Sequence, residues 1–481
     1  MTKQSQGARA AGTTSVPAAT RNSRPPRQRS LASRALRRSL SFIRRYPTVA
    51  ASASIVIALT GLALYAVIAI PLSEAVYLWR GADQVWSDTP RNARPAWTNL
   101  FRSTKLPETF VIRMDDASGT VERLGESMWR ETTLLTFDYK FSTFPNEINF
   151  FFDATFEARE PQATLTWVTP NGEKIRLFRG NVRSGQRCAI SQDRDLRRIL
   201  GEFGHVGLLA NPETIGQEDV DPEVRKGEYT LRVETLTFEK GSTVGGRLVV
   251  YGDVYGIAGT DHLRRDLAIG LLWGTPIALM FGLLATIGTT VLGFVIAAFG
   301  TWCGGWIDGL VQRITEVNLM LPFLPILIMV GTFYSRSIWV MLVVIIALSI
   351  FSAALRSYRA MFLQAKGAAY IEAARAYGAS NSRIIFRYLI PRILPVLVPN
   401  FVIGIPQFVF LEASLSILGL GDPTLPTWGK ILTNAYQAGA LYRGYYYWVL
   451  EPTVLLMITG LSFSMLGFAL DRIFNPRLRS L

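Results

Sequence analysis

The sequence predicts an all-α six-helix transmembrane bundle with an inserted extracytoplasmic domain that is mostly β and sandwich-like. Of the 481 residues, 49% are hydrophobic. The apolar residues are concentrated in stretches long enough to cross a bilayer, which takes about 20 residues as a helix. One long segment after the first of these stretches is instead polar and contains strand-like runs. These observations together indicate a membrane protein with one inserted domain.

Six apolar stretches are predicted to cross the membrane, and their approximate limits are 48–72, 268–300, 317–334, 338–355, 395–420 and 449–471. The first is about 24 residues long, whereas the apolar region of a signal peptide has roughly 7–15 residues. We therefore expect an uncleaved first transmembrane helix within residues 47–73.

Basic residues orient these helices. The net charge is +14, and residues 1–46 carry eleven Lys and Arg residues but no Asp or Glu. Such a tail could also bind nucleic acid, but it runs directly into an apolar stretch, which favours a disordered cytoplasmic flank over a nucleic-acid arm. The 356–394 loop and the C-terminal tail are basic too, whereas 421–448 contains only Lys430 and Arg443. Both termini and the 356–394 loop are therefore predicted to be cytoplasmic.

Residues 74–260 form the predicted extracytoplasmic domain. Residues 164–169 and 174–177 alternate apolar and polar side chains on either side of Asn171-Gly172, a pattern typical of a β-hairpin. Four further runs are strand candidates: 133–140, 148–157, 229–234 and 247–252. This spacing predicts a small β-sandwich from about 105 to 256. A short helical piece is expected near Arg194–Phe203.

The most specific motif lies in the 356–394 loop, within the predicted five-helix membrane core at 261–481. A Glu-Ala-Ala triplet starts at Glu372, Gly378 follows, and the motif ends at Pro391. This pattern resembles the EAA loop of binding-protein-dependent ABC transporter permeases, which receives a separate ATPase. The resemblance implies an ATPase-coupling loop made of Glu372, Ala373, Ala374, Arg375, Tyr377, Gly378, Ala379, Ser380 and Pro391. The two alanines would give a slim helix face, and Gly378 would permit the turn that ends the helix. An ordinary amphipathic helix pair is the simpler alternative.

Two other stretches resemble the dipeptide and oligopeptide permeases of the "C" type. Residues 259–266 read Gly-Thr-Asp-His-Leu-Arg-Arg-Asp, with Arg264 where that subfamily usually has Gly, so we expect the turn there to differ. Residues 412–421 and 426–429 resemble the fifth helix and the loop after it, and Asn475-Pro476-Arg477 resembles the C-terminal signature. The resemblance covers 40–75 loosely and 257–481 closely, but it does not cover 100–256.

Glu412 is an ionisable residue inside a predicted span, which makes it a functional candidate. Two roles remain open for it: lining the translocation path, or hydrogen bonding within the bundle.

No run fits the phosphate-binding pattern G-x-x-x-x-G-K-[ST], and no nucleophile-base grouping is visible. His205 and His262 do not suggest a metal site. Cys188 and Cys303 are predicted on opposite sides of the membrane, so no disulfide is expected. We therefore expect a transport subunit that is not an enzyme, without cofactor or metal.

The resemblance implies partners: a second permease subunit, two ATP-binding subunits, an extracytoplasmic solute-binding protein and membrane lipid, but no nucleic acid. The implied location is a prokaryotic cell membrane, and the implied solute is a peptide. The alternatives are a membrane-anchored receptor or assembly factor that acts through the β domain, and an intramembrane enzyme.

Overall fold

The computed structural model describes residues 47–81, 85–192, 196–198, 201–212, 214 and 222–474. The basic tail at 1–46 and the signature at 475–477 lie outside the described residues. The chain has a helical membrane part and a mostly-β part. The helices are α1 Pro47–Ala69, α2 Leu72–Arg80, α3 Leu267–Cys303, α4 Gly305–Met320, α5 Phe323–Phe333, α6 Ile338–Ile350, α7 Ala353–Lys366, α8 Ala369–Ala376, α9 Asn381–Leu420, α10 Trp428–Gln437 and α11 Tyr446–Phe474.

Among the described residues, four helices are long and apolar enough to cross a membrane: α1, α3, α9 and α11, the last over Tyr446–Arg472. Two further pairs of consecutive helices are long and apolar enough to cross a membrane only if each pair is counted as one segment. The α4–α5 pair is bent by 77° and the α6–α7 pair by 44°. The third and fourth predicted spans are therefore broken helices, and the third begins at Gly305 instead of residue 317. The bends fall at Pro322, which cannot donate a helical hydrogen bond, and at Phe351-Ser352.

Two antiparallel sheets form the β part. The strands are β1 Phe110–Arg113, β2 Gly119–Arg123, β3 Trp129–Tyr139, β4 Glu147–Thr155, β5 Gln162–Val168, β6 Lys174–Asn181, β7 Arg187–Cys188, β8 Gly227–Thr237 and β9 Thr243–Tyr251. One sheet has the order β1-β9-β4-β7 and the other β2-β3-β8-β5-β6. Every strand candidate from the sequence is confirmed, and the predicted turn at Asn171-Gly172 joins β5 to β6, with Gly172 at a φ of 82°.

Alternating side chains from the two sheets fill one core. Along β5 and β8, every second residue is buried, as expected for strands with one face against a core. Trp167 and Leu231 from one sheet and Phe150 and Leu248 from the other are fully buried in it. Near the predicted helical piece, the described residues include a helical turn at 196–198 and a 3₁₀ helix at Gly201–Leu208.

A junction layer joins the β part to one end of the helices. It is a cluster of buried side chains that includes Trp79, Leu267, Ile431 and Trp448. These residues come from α2, the start of α3, α10 and the start of α11. The motif loop packs against the other end of the bundle, where Ile371 and Ile384 contact a core that contains Phe294 and Trp302. The β part and the motif loop therefore lie at opposite ends of α3.

Candidate functional site

Helix α8 has one face inside the bundle and one face outside. Ile371 and Ala374 are buried, whereas Glu372 and Ala373 are exposed. Adjacent helical residues point about 100° apart, and Ala374 lies on the side that packs into this chain's own core. Ala373 is exposed and is therefore available to a partner. A slim face made by both alanines stays a prediction.

The turn predicted at Gly378 is confirmed, and it has the geometry of a glycine-terminated helix. Gly378 has a φ of 76°, its N–H donates to the Arg375 carbonyl over 2.9 Å, and the Ala379 N–H donates to the Ala374 carbonyl over 3.0 Å. This hydrogen-bond pair satisfies the last carbonyls of α8. The Ser380 hydroxyl then accepts from the Arg383 N–H over 3.4 Å and caps α9.

The exposed surface of the loop continues past this turn. Tyr377 is 92% exposed, and Ser380 and Pro391 are exposed as well. Pro391 lies in α9 just after a π-helical turn, Ile385–Leu389. α9 extends from the motif loop to Leu420, with a kink at Gly419, where φ is 84°, so the motif loop and the far half of the bundle are parts of one element.

Cations fix the loop to the ends of two other helices. The Arg375 guanidinium lies 4.5 Å from the centre of the Trp302 ring at the end of α3. Lys366 Nζ donates to the carbonyls of Thr301 and Trp302 over 2.7 and 2.9 Å. Arg359 on α7 forms a two-pronged ion pair with Asp308 on α4, with Nε to Oδ1 at 2.8 Å. These contacts join α8 to the end of α3 through Arg375, and α7 to the end of α3 through Lys366 and to α4 through Arg359.

A cavity of about 650 Å³ lies between these helices. Its polar lining is uncharged, with amides from Asn318, Asn400 and Gln407 beside backbone and hydroxyl groups. Asn400 and Gln407 are seven residues apart on α9, so they lie on one face two turns apart. Thr289 and Thr290 line the opposite wall from a π-helical turn in α3, Ile287–Val291. The cavity thus offers neutral hydrogen-bonding groups along an otherwise apolar bundle.

Glu412 does not line this cavity. It is 6% exposed and its Oε1 accepts a hydrogen bond from Ser416 Oγ over 2.9 Å. It borders a separate space of about 10 Å³ that Arg336 and Asp422 also line. Of the two roles that the sequence left open, this geometry favours hydrogen bonding within the bundle.

Sequence reasoning missed the cavity residues, although a signal was present. Asn400 and Gln407 are neutral amides inside an apolar stretch, and their spacing of seven is helical. The clue was the spacing of polar residues and not their charge.

Bilayer-length helices, a polar cavity between them and an exposed motif loop at one end define a membrane-embedded transport subunit. Residues 269–480 match the family model described as "Binding-protein-dependent transport system inner membrane component". The chain belongs to this family and is a permease subunit of an ATP-driven importer, the membrane component and not the ATPase. The β part lies outside the match.

Several curated relatives cover nearly half of the chain. A glutathione transport system permease protein, GsiD, of Pectobacterium atrosepticum is 31% identical over 225 residues, 46% of this chain and 73% of its own length. The dipeptide transport system permease proteins DppC of Alkalihalophilus pseudofirmus and of Bacillus subtilis are each 28% identical, over 46% of this chain and 72% and 68% of their lengths. These relatives confirm the resemblance to dipeptide and oligopeptide permeases.

Among solved structures, the chain is similar to an inward-facing MetNI methionine ABC transporter, with 24% identity and a TM-score of 0.33. The match covers 43% of this chain and 94% of the other.

Proposed function

We propose that the chain carries peptides across a prokaryotic cell membrane as one of two different permease subunits. In this proposal, two ATP-binding subunits bind the motif loop and an extracytoplasmic solute-binding protein delivers the solute. The names of the dipeptide and glutathione relatives support the choice of solute. The receptor and enzyme alternatives find no support in the family.

The proposed topology has six spans, with α4–α5 and α6–α7 each counted as one bent span. The N-terminal tail, the motif loop and the C-terminus are cytoplasmic, and the β part is extracytoplasmic. The excess of Lys and Arg in 1–46 and 356–394 supports this orientation. The separation of the β part and the motif loop along α3 supports it as well.

The observation that carries the coupling proposal is the two-faced geometry of α8. Its inner face is held by Ile371 and Ala374, while Glu372, Ala373 and Tyr377 are exposed at the surface. Binding of the ATPase to this outer face moves α8 and, through Arg375 and Lys366, the end of α3. ATP shifts the bundle between inward- and outward-facing states because the ATPase pair binds the two states differently.

A pair of glycine substitutions tests this coupling. Gly378 and Gly367 both have open space where a Cβ would be, but only Gly378 has a positive φ. Gly378→Asp is expected to abolish uptake and co-purification of the ATPase, because it adds a negative charge to the exposed surface that the ATPase is proposed to bind. Gly378→Ala is expected to weaken both, because a side chain at this φ costs about 1–2 kcal/mol. Gly367→Ala is the matched control and is expected to behave as wild type. Normal uptake and normal ATPase co-purification by the Gly378→Asp variant would contradict the coupling proposal.

A further inference from the structure

A short 3₁₀ helix beside the junction layer exposes three large apolar side chains. It comprises Ala96–Phe101, and Trp97, Leu100 and Phe101 are 49%, 82% and 83% exposed. Trp97 Nε1 donates to the Ile257 carbonyl over 3.0 Å, which ties this helix to the chain just before α3. We name it the 96–101 helix. Exposing so much apolar surface to water is unfavourable, so something must cover it.

The 96–101 helix borders an apolar groove that continues onto α11. The groove has a volume of about 690 Å³, and Trp97, Ile257, Tyr446, Leu450 and Val454 are among the residues that line it. Leu450 and Val454 are exposed at the start of the spanning helix, and Met457 and Leu461 continue the same exposed apolar stripe. This stripe lies on α11, a helix that is long and apolar enough to cross a membrane.

A basic pocket adjoins the groove and shares Arg94 with it. The pocket has a volume of about 230 Å³ and is lined by Arg94, Arg102 and Asp253, together with Asn92 and Leu106. Two guanidinium groups against one carboxyl leave the pocket basic. Burial raises the pKa of Asp253, and the two arginines oppose that shift. Lys105 is exposed nearby in sequence. Apolar anchors flanked by Arg and Lys are typical of segments at a membrane surface.

A carboxyl group also lines the groove. Glu451 lines the groove, and its Oε2 is buried without a hydrogen-bond partner among the described residues. A headgroup ammonium or hydroxyl would satisfy it. Water is a poorer fit to the whole groove, because the lining is mostly apolar.

We propose that the groove and the basic pocket bind one phospholipid of the leaflet on the β side. The acyl chains lie in the groove against Leu450 and Val454, and the phosphate lies at Arg94 and Arg102. The 96–101 helix is inserted into the interface beside this lipid and fixes the β part on the membrane surface. The proposal needs α11 to span the membrane, but it depends on neither the solute nor the ATPase-coupling loop.

The insertion is tested with the full chain in nanodiscs of phosphatidylethanolamine and phosphatidylglycerol. In a Cys303→Ser background, an environment-sensitive fluorophore is placed at Leu100→Cys. Val121→Cys, on a strand where the side chain is 67% exposed, is the matched control. We expect acyl-chain spin labels to quench the fluorophore at position 100 and not at 121, and aqueous iodide to do the reverse.

Two outcomes would overturn the insertion. Equal iodide quenching at both positions would mean that the 96–101 helix is in water. Shielding of position 100 from both quenchers in the assembled transporter would mean that a protein subunit covers it.

Binding of the lipid itself is tested by mass spectrometry of the detergent-purified protein. Arg94→Gln with Arg102→Gln is expected to lower the fraction of protein that retains a phospholipid at least severalfold. Arg130→Gln, a solvent-exposed arginine on β3, should leave that fraction unchanged. Equal retention by both variants would exclude the basic pocket as the phosphate site.

Discussion

At the scale of single residues, Arg264 joins the β part to the membrane part. Its φ of 65° is a left-handed backbone conformation that favours glycine, the residue that the permease resemblance implies at this position. That the turn differs from the one in related permeases stays a prediction. The side chain is 2% exposed. It ion-pairs with Glu147 on β4, donates from Nη1 to the Thr89 carbonyl over 2.7 Å, and lies 4.3 Å from the centre of the Tyr251 ring. Backbone strain is thus offset by contacts that only an inserted domain provides.

Replacing Arg264 should loosen this junction. Arg264→Ala leaves Glu147, which is 15% exposed, without its cation, and breaking such a buried pair costs about 3–5 kcal/mol. We expect a lower melting temperature in detergent and faster proteolytic release of the β part. Arg264→Ala combined with Glu147→Gln should recover part of the loss. The control is Arg130→Ala, whose pair with Glu122 is exposed, at 44% and 66%, and contributes about 0–1 kcal/mol. Equal melting temperatures of the Arg264→Ala and Arg130→Ala variants would contradict the proposed role of Arg264 in stabilising the junction.

At the scale of elements, the alternation of apolar and polar residues predicted the long strands. Hydropathy predicted the long, unbroken apolar helices. These two patterns missed β1, β2 and β7, which have four, five and two residues. All five residues of β2 are exposed, so that strand has no buried face to produce an alternation of apolar and polar residues. Hydropathy averages over a window, so it could not detect the 77° bend at Pro322. It also left out most of α4, the first helix of the bent α4–α5 pair, because that helix carries Asp308, Arg313 and Glu316. The motif loop was predictable from its local pattern, whereas the cavity was not, because it depends on how six separate helices pack, namely α3, α4, α5, α6, α7 and α9.

The face of α9 that lines the cavity is predicted to determine transport and not assembly. Asn400→Leu and Gln407→Leu each remove one neutral hydrogen-bonding group from the cavity. Loss of one such bond to solute costs about 0.5–1.5 kcal/mol, so uptake should fall about two- to tenfold. ATPase co-purification should be unchanged. Ser414→Ala is the control, since Ser414 is on the same helix but its hydroxyl bonds the Phe410 carbonyl. Wild-type uptake by both leucine variants would show that solute does not contact this wall.

At the scale of the whole molecule, α3 sets the distance between the β part and the motif loop. Its 37 residues span on the order of 55 Å at a rise of 1.5 Å per residue. Leu267 at its start is in the junction layer, and Trp302 near its end contacts the core under the motif loop. α9 and α11 also run between the β-part end and the motif-loop end of the bundle. If α3, α9 and α11 cross the bilayer, the β part and the motif loop therefore lie on opposite sides of it.

The two native cysteines and one added cysteine can test this arrangement directly. Cys303 is exposed at the end of α3 that carries the motif loop, whereas Cys188 is buried in the β part. A membrane-impermeant maleimide added to spheroplasts should label Val121→Cys in a Cys303→Ser background, because that side chain is exposed on β2. The wild-type chain should stay unlabelled until the membrane is permeabilised, and then react at Cys303. Labelling of Cys303 before permeabilisation would reverse the proposed orientation. Labelling of both sites before it would mean that α3 does not cross the bilayer.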